Sequence, residues 1–105
     1  MATFTTEGNG LVVSGKLAGD EIDELTRQAG ELLDREPPRL LLDVRQIETE
    51  SSSLVGVVAE LGAEARKRSK TLIVRAEGRL ADLLVWAGLH RVVTLYVSNA
   101  PTPVT

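Results

Sequence analysis

The chain has 105 residues, of which 43% are hydrophobic and 26% are charged, and its net charge at neutral pH is −3. This length is typical of one globular domain and is too short for two. The acidic balance argues against non-specific nucleic-acid binding, because no broad surface could neutralise phosphates. The absence of cysteine excludes disulfides, zinc–thiolate sites and cysteine nucleophiles.

The chain begins with two strand-like segments that an Asn-Gly pair joins. Residues 3–6 predict a short strand, and residues 11–17 predict the strand that returns beside it. Asn9 and Gly10 between them indicate a tight hairpin turn, because both residue types tolerate positive φ. The sequence therefore predicts an N-terminal β-hairpin.

A first helix follows the hairpin. Asp20 is expected to act as its N-cap, and Pro37-Pro38 ends the helical pattern. One apolar stripe runs along this helix, which indicates a packing role and no chemistry of its own. The residues of the stripe are Ile22, Leu25, Ala29, Leu32 and Leu33.

The most informative segment comes next. Residues 40–44 form a short apolar run, which is typical of a covered central strand. Apolar residues then recur at helical spacing from Leu54 onward, so a second helix is predicted to begin at the three serines 51–53. Unpaired backbone N–H groups and the helix dipole favour a hydroxyl cap or an anion there. The pattern leaves two readings open, a structural cap or a phosphorylation switch.

The last third of the chain continues the alternation. Residues 71–74 predict a strand, residues 79–87 a helix and residues 92–97 a final strand, and Gly88 is expected to end the helix in a left-handed conformation. The buried face of this helix is expected to contain Leu80, Leu83, Leu84 and Ala87.

The order β-β-α-β-α-β-α-β predicts an α/β fold with a mixed, mostly parallel sheet that starts with a hairpin. The whole chain, 1–105, is predicted to be a single domain with a core at about 3–97. The Pro- and Thr-rich end, 98–105, is expected to fray. The polar start of the chain is unlike a signal peptide and no apolar run approaches the length of a membrane span, so a cytoplasmic location without membrane insertion is expected.

Catalytic groups are scarce in this sequence. His90 is the only histidine and has no Ser, Asp or metal partner at a telling spacing, so it is expected to serve a helix end. An enzyme or a ligand-binding domain would need a pocket lined by Asp43, Glu48 or His90. The sequence therefore predicts no catalysis, no cofactor, no metal site and no small-molecule substrate.

Three segments, taken in order, resemble the STAS domain, the fold of bacterial anti-sigma factor antagonists. They are Leu42-Asp43 in the central strand, residues 51–55 at the start of the second helix, and residues 87–89 before the final strand. The matching order of strands and helices extends the resemblance over about residues 3–97. The resemblance implies a STAS-like domain that binds a partner protein and catalyses nothing itself.

The resemblance also implies a site. The residue that is phosphorylated in the family falls on Ser53, with Ser52 as the alternative if the alignment slips by one position. The implied partner is an anti-sigma factor that is also a serine kinase; it would inactivate the protein by phosphorylating it, and a phosphatase would restore it. The implied partner-binding residues are Glu50, Ser51, Ser52, Ser53, Leu54 and Val55.

Two residues depart from the family pattern at this site. Ser51 replaces the family's Asp, and Leu54 replaces its Gly. Both changes favour an alternative function, in which an unphosphorylated STAS adaptor serves a stress-signalling complex or a lipid-transport ATPase.

Overall fold

Strands and helices alternate along the chain in the predicted order, in a computed structural model that describes residues 2–17, 19–35, 37–48 and 53–97. The elements are β1 (Ala2–Glu7), β2 (Gly10–Gly15), α1 (Gly19–Leu33), β3 (Arg39–Ile47), α2 (Ser53–Lys67), β4 (Thr71–Ala76), α3 (Gly78–Trp86), a 3₁₀ turn (Leu89–Arg91) and β5 (Thr94–Val97). The predicted α/β class is confirmed. None of the helices in these ranges has the length and apolar character needed to cross a bilayer.

The five strands form one sheet in the order β1-β2-β3-β4-β5. β1 and β2 are antiparallel, and the other neighbouring pairs are parallel. The predicted hairpin is confirmed, but its turn residues differ from the prediction. Glu7 pairs with Gly10, so the two-residue turn consists of Gly8 and Asn9, and only Gly8 has positive φ (57°). Glycine takes the left-handed position because it has no Cβ to clash there.

All three helices lie on the same face of the sheet. Each crossover moves one strand further in the same direction, and right-handed connections then place every helix on one side. A single apolar core joins this side of the sheet to the three helices. Its largest fully buried side chains include Leu11, Leu25, Leu33, Leu40, Leu42, Leu54, Leu61, Leu72 and Leu84.

The opposite face of the sheet has no helix over it in the described part of the chain, and we call it the open face. Along β3, the buried residues Leu40 and Leu42 alternate with residues that point to the open face, as the two-residue period of a strand requires. On β3, β4 and β5 the open face includes Arg39, Leu41, Asp43, Ile73, Arg75 and Tyr96.

Three predicted details of the helices are corrected by the structure. Asp20 is the second residue of α1 and not its N-cap, although its charge still suits the first turn. On α3, Leu80 and Leu84 are buried, but Leu83 is only half-buried and Ala87 is exposed. The apolar face of this helix is therefore narrower than the sequence indicates.

The predicted end of α3 is confirmed, and an additional turn follows it. Gly88 has a φ of 76°, as expected for a left-handed residue after a helix. Leu89 is buried and begins the 3₁₀ turn, which contains the exposed His90. The final strand was expected to start at residue 92, but residues 92 and 93 lie between this turn and the sheet, so β5 begins only at Thr94.

Basic residues after α2 tie its end to the end of α1. The Nη2 atom of Arg68 lies 3.0 Å from Oδ1 of Asp34. The ammonium group of Lys70 donates to the backbone carbonyls of Leu33 and Arg35, where the last carbonyls of a helix lack partners within the helix. These cations therefore have local structural partners.

Helix α2 packs closely against the segment that leads into β5. A Cβ atom built on Gly62 would lie 2.7 Å from Cγ1 of Val93, a buried side chain. We expect Gly62→Ala to lower the free energy of unfolding by about 1–2 kcal/mol, because overpacking outweighs the higher helix propensity of alanine. Urea unfolding monitored by circular dichroism measures this change.

Gly30→Ala in α1 is the matched control. Nothing lies within 4 Å of a Cβ built on Gly30, so this change is expected to stabilise the protein by up to about 1 kcal/mol. Equal effects of the two substitutions would contradict the close approach at Gly62.

Candidate partner-binding site

The predicted site lies where the chain passes from β3 into α2. Helix α2 begins at Ser53, so the residue implied as the phosphorylation site occupies the first position of the helix. Glu50, Ser51 and Ser52 lie outside the described residues, as does the side chain of Ser53. The backbone therefore places Ser53 at a helix start, as the sequence predicts.

The residues that follow Ser53 have different exposures. Leu54 has 0% of its surface exposed and belongs to the core. The Leu54 side chain therefore points into the domain, and its predicted contact with a partner stays a prediction. Val55 is half-buried against the core and Gly56 is exposed, so these two residues border the solvent-facing side of the first turn.

A surface of small residues extends from this turn along α2. Val55 and Ala59 are partly exposed one helical turn apart, and Gly56 and Ala63 are exposed beside them. Glu60 is the charged residue among them. A surface with so few long side chains allows the backbone of another protein to approach closely, and little side-chain entropy is lost when it does.

The electrostatics of the first turn favour an added anion. No acidic residue lies in the first turn of α2. The unpaired N–H groups and the positive end of the helix dipole therefore have no side-chain carboxylate from that turn to interact with. A phosphate on Ser53 would interact favourably with this end of the helix, and it would add negative charge beside the small residues of α2.

An ion pair lies on the open face near the end of β3. Nε of Arg45 donates to Oδ1 of Asp43 over 3.0 Å, and Nη2 donates to Oδ2 over 2.8 Å. The backbone N–H of Arg45 also donates to Oδ1 over 3.1 Å. The Asp43 carboxylate thus accepts three hydrogen bonds from one residue two positions further along the strand.

This ion pair coincides with an irregularity in strand pairing. Between the pairs Val12–Asp43 and Ser14–Gln46, β3 has one residue more than β2. Such a bulge removes a backbone N–H from the regular ladder and redirects the strand. The Asp43 carboxylate satisfies the N–H of Arg45 at this bulge, so the pair stabilises the local path of β3 through the irregularity.

The surroundings of Asp43 favour its ionised form. Hydrogen bonds from Arg45 hold the pKa of the Asp43 carboxyl below its ordinary value, and they outweigh the effect of burial, which raises it. The positive charge of Arg75, its neighbour on β4, acts in the same direction. Asp43 is therefore a charged structural residue at neutral pH, although only 8% of its surface is exposed.

The residues considered for catalysis are not brought together as a reaction centre. The Asp43 carboxylate is engaged by Arg45, while Glu48 and His90 are exposed in the segment after β3 and in the 3₁₀ turn. Within the described ranges, no group of three or more His, Asp or Glu residues could hold a metal ion. The structure offers no geometry through which these residues would act as acid and base.

Two features of the surface were not predicted. Trp86 is 91% exposed and, with Arg79, Asp82 and Leu83, lines a groove of about 470 Å³ on α3. The exposure of Trp86 could have been predicted from the periodicity of α3, because Trp86 lies six residues after the buried Leu80 and hence on another side of the helix. The interaction of Arg45 with Asp43 had no such signal, because it depends on the bulge.

Comparisons with known proteins agree on the type of domain. A family model described as "Mlab, STAS domain" matches residues 2–95. An anti-sigma factor antagonist from Mycobacterium paratuberculosis is similar in structure, with a TM-score of 0.71, 21% identity and coverage of 91% of this chain and 84% of that chain. The anti-sigma factor antagonist SpoIIAA in its unphosphorylated form also has a TM-score of 0.71, with 11% identity and coverage of 99% and 93%. No curated protein matches the sequence significantly.

The Asp43–Arg45 pair gives a pH-dependent prediction. We expect Asp43→Asn to lower the free energy of unfolding at pH 7 by about 1–3 kcal/mol, because a charged hydrogen-bond acceptor for three N–H donors is lost. Since the folded-state pKa of Asp43 is lowered, its contribution is present above the unfolded pKa of about 3.9 and is lost as the pH falls through the folded pKa. Urea unfolding at pH 7 and pH 3 should show a smaller difference from wild type at pH 3.

Asp34→Asn is the control, because the Asp34 side chain is 66% exposed in its pair with Arg68. Its effect should stay below about 0.5 kcal/mol at both pH values. An Asp43→Asn effect that is equally small, or that grows as the pH falls, would contradict the structural role of the pair.

Proposed function

The chain belongs to the STAS domain family, as its sequence resemblance predicted, and we propose that it acts as an anti-sigma factor antagonist. In this proposal the unphosphorylated protein binds an anti-sigma factor that is also a serine kinase. The kinase phosphorylates Ser53 and the complex dissociates, and a phosphatase restores the binding form. The chain itself supplies the binding surface and the serine and catalyses no step.

The observation that carries the proposal is the position of Ser53 next to Leu54. Ser53 starts α2, and Leu54 fixes the first turn of that helix in the core. A phosphate would therefore be added to a turn that is held in place by apolar packing. The modification changes the charge of the surface while the fold is retained.

The binding surface in this proposal is the exposed side of α2 beside Ser53. The small residues Val55, Gly56 and Ala59 allow close contact with a partner. A phosphate carries about −1.5 to −2 charges at neutral pH, and burying it in such an interface without a matching cation is unfavourable. The helix dipole lowers the cost of the phosphate within the free protein but does not remove the cost of desolvating it on binding.

A second function is favoured by the two departures from the family pattern at the switch, Ser51 in place of Asp and Leu54 in place of Gly. In this alternative the protein is an unphosphorylated STAS adaptor in a stress-signalling complex or a lipid-transport ATPase. Its partner contacts would use the same side of α2.

The switch is tested with three baits in affinity capture from the source cell lysate: wild type, Ser53→Ala and Ser53→Asp. We expect wild type and Ser53→Ala to capture a serine kinase that binds ATP. Binding of the purified kinase to Ser53→Asp should be at least about tenfold weaker, because a carboxylate adds charge to the interface. Calorimetry with the purified pair measures this ratio.

Ser52→Ala is the matched control for the site. Incubation with the kinase and ATP should add one phosphate to wild type and to Ser52→Ala, and none to Ser53→Ala, as measured by intact mass. Phosphate on Ser53→Ala but not on Ser52→Ala would move the site to Ser52. Capture of a transporter or scaffold equally by all three baits, with no phosphorylation, would favour the adaptor.

A further inference from the structure

The open face lacks the second layer that parallel sheets normally have. The strands β2 to β5 are parallel, and parallel strands occur almost always with both faces covered. Here the helices cover one face only, and Leu41 and Ile73, which are paired in register, remain half-buried on the other. This pair of aliphatic side chains lies at the centre of an uncovered face and is available for another element to pack against.

Two adjoining grooves share these residues as their floor. One, of about 550 Å³, extends from Leu41 and Ile73 to Arg39 and the loop at Pro37-Pro38. The other, of about 290 Å³, extends from the same pair to Arg75 and Tyr96. Tyr96 is 58% exposed, so it provides an aromatic wall at that end.

Two exposed arginines, Arg39 and Arg75, flank this apolar floor. Neither forms an ion pair with another described residue. Asp43 on the same face is already neutralised by Arg45, and Glu7 is the one acidic residue among the described residues that line the larger groove. Arg75 is level with Asp43, which is four residues after Arg39. The two arginines are therefore separated by roughly 13 Å along the strands.

Charge decides between possible occupants of this face. In a two-fold dimer the face would meet itself, which would bring the arginines of both copies together and is unfavourable. The chain's own segment 98–105 contains no Asp or Glu. The occupant that complements two exposed arginines around an apolar floor is an acidic segment of another protein.

We propose that the open face binds an acidic amphipathic helix of a partner protein. Helices are the elements that cover sheet faces in α/β domains. Carboxylates eight residues apart on a helix are separated by about 12 Å, which matches the two arginines, and apolar side chains between them would contact Leu41, Ile73 and Tyr96. This surface is on the side of the sheet opposite α2, so the proposal is independent of the switch at Ser53.

The test uses two synthetic 14-residue helical peptides with the same leucine stripe. In one, glutamates eight residues apart flank the stripe; in the other, lysines take their places. Titration into ¹⁵N-labelled protein, followed by NMR, should give roughly tenfold tighter binding of the glutamate peptide. The shifted resonances should include those of Leu41, Ile73, Arg75 and Tyr96. The acidic net charge of the protein makes non-specific binding of this peptide unfavourable.

Charge reversal provides the decisive variant. Arg39→Glu combined with Arg75→Glu should reverse the preference toward the lysine peptide, because both positions are exposed and the apolar floor is unchanged. Arg66→Glu is the control, since Arg66 is an exposed arginine on α2, on the opposite side of the sheet. It should leave the preference for the glutamate peptide intact. Wild-type-like NMR spectra establish that each variant is folded.

Several outcomes would overturn the proposal. They are equal binding of both peptides, no binding of either, shifts confined to α2 or to the Trp86 groove, and a preference that the double variant does not reverse. Sedimentation of the protein alone addresses the other occupant. A dimer that Ile73→Ser disrupts would assign the open face to a second copy of the chain.

Discussion

The structure depends on one constraint, which is that every helix packs on the same face of the sheet. The strand order makes each crossover proceed in the same direction, so the apolar side chains of β2, β3 and β4 meet a single layer formed by α1, α2 and α3. The central strand β3 consequently has one dry face and one face turned to solvent. The exposed side of α2 and the open face both follow from that division.

On the dry side, the core determines where α2 begins. Leu54 is the first core residue of the helix, and it immediately follows Ser53. Ser53 is therefore adjacent in sequence to a core residue. It also lies at the helix start, where the dipole favours negative charge. One helical turn thus contains both a buried residue, Leu54, and a serine that a kinase could modify, Ser53. This arrangement suits a protein that changes partners without unfolding.

On the solvent side, polar interactions replace the missing layer. The Asp43 carboxylate is held by Arg45 at the bulge of β3, and this satisfies a backbone N–H that the ladder does not use. The aliphatic pair Leu41 and Ile73 has no such substitute. An additional element that covers this face would bury these two side chains, and the domain would then have the three layers that are usual for parallel sheets.

The two surfaces would give the domain separate connections. The side of α2 beside Ser53 is lined by small residues and would respond to phosphorylation, whereas the open face carries two exposed arginines on the other side of the sheet. Strand β3 supports both surfaces: Leu42 packs in the core on the helix side, and Leu41 lies on the open face. The two surfaces therefore rest on the same strand but are formed by different side chains. One partner could therefore bind while the other is exchanged.

The sequence by itself determined the order of the elements, the family and the start of α2. These depend on local signals: the alternation of apolar residues, the Gly-containing hairpin turn, and Gly88, whose φ of 76° is a property of that one residue. The burial of Leu42 and Leu84 followed from the same periodicity. Such signals are contained within a few consecutive residues, which is why they can be read without coordinates.

Tertiary structure alone decided the features that depend on contacts between distant segments. The sequence placed Leu54 among partner contacts, whereas helix orientation turns it into the core. The bulge that brings Arg45 to Asp43 exists only because β3 pairs with β2 in a particular register. The open face likewise depends on the handedness of the β-α-β connections, which decides the face of the sheet that the helices cover. Strand direction and crossover handedness act on the whole chain, so no single stretch of residues encodes them.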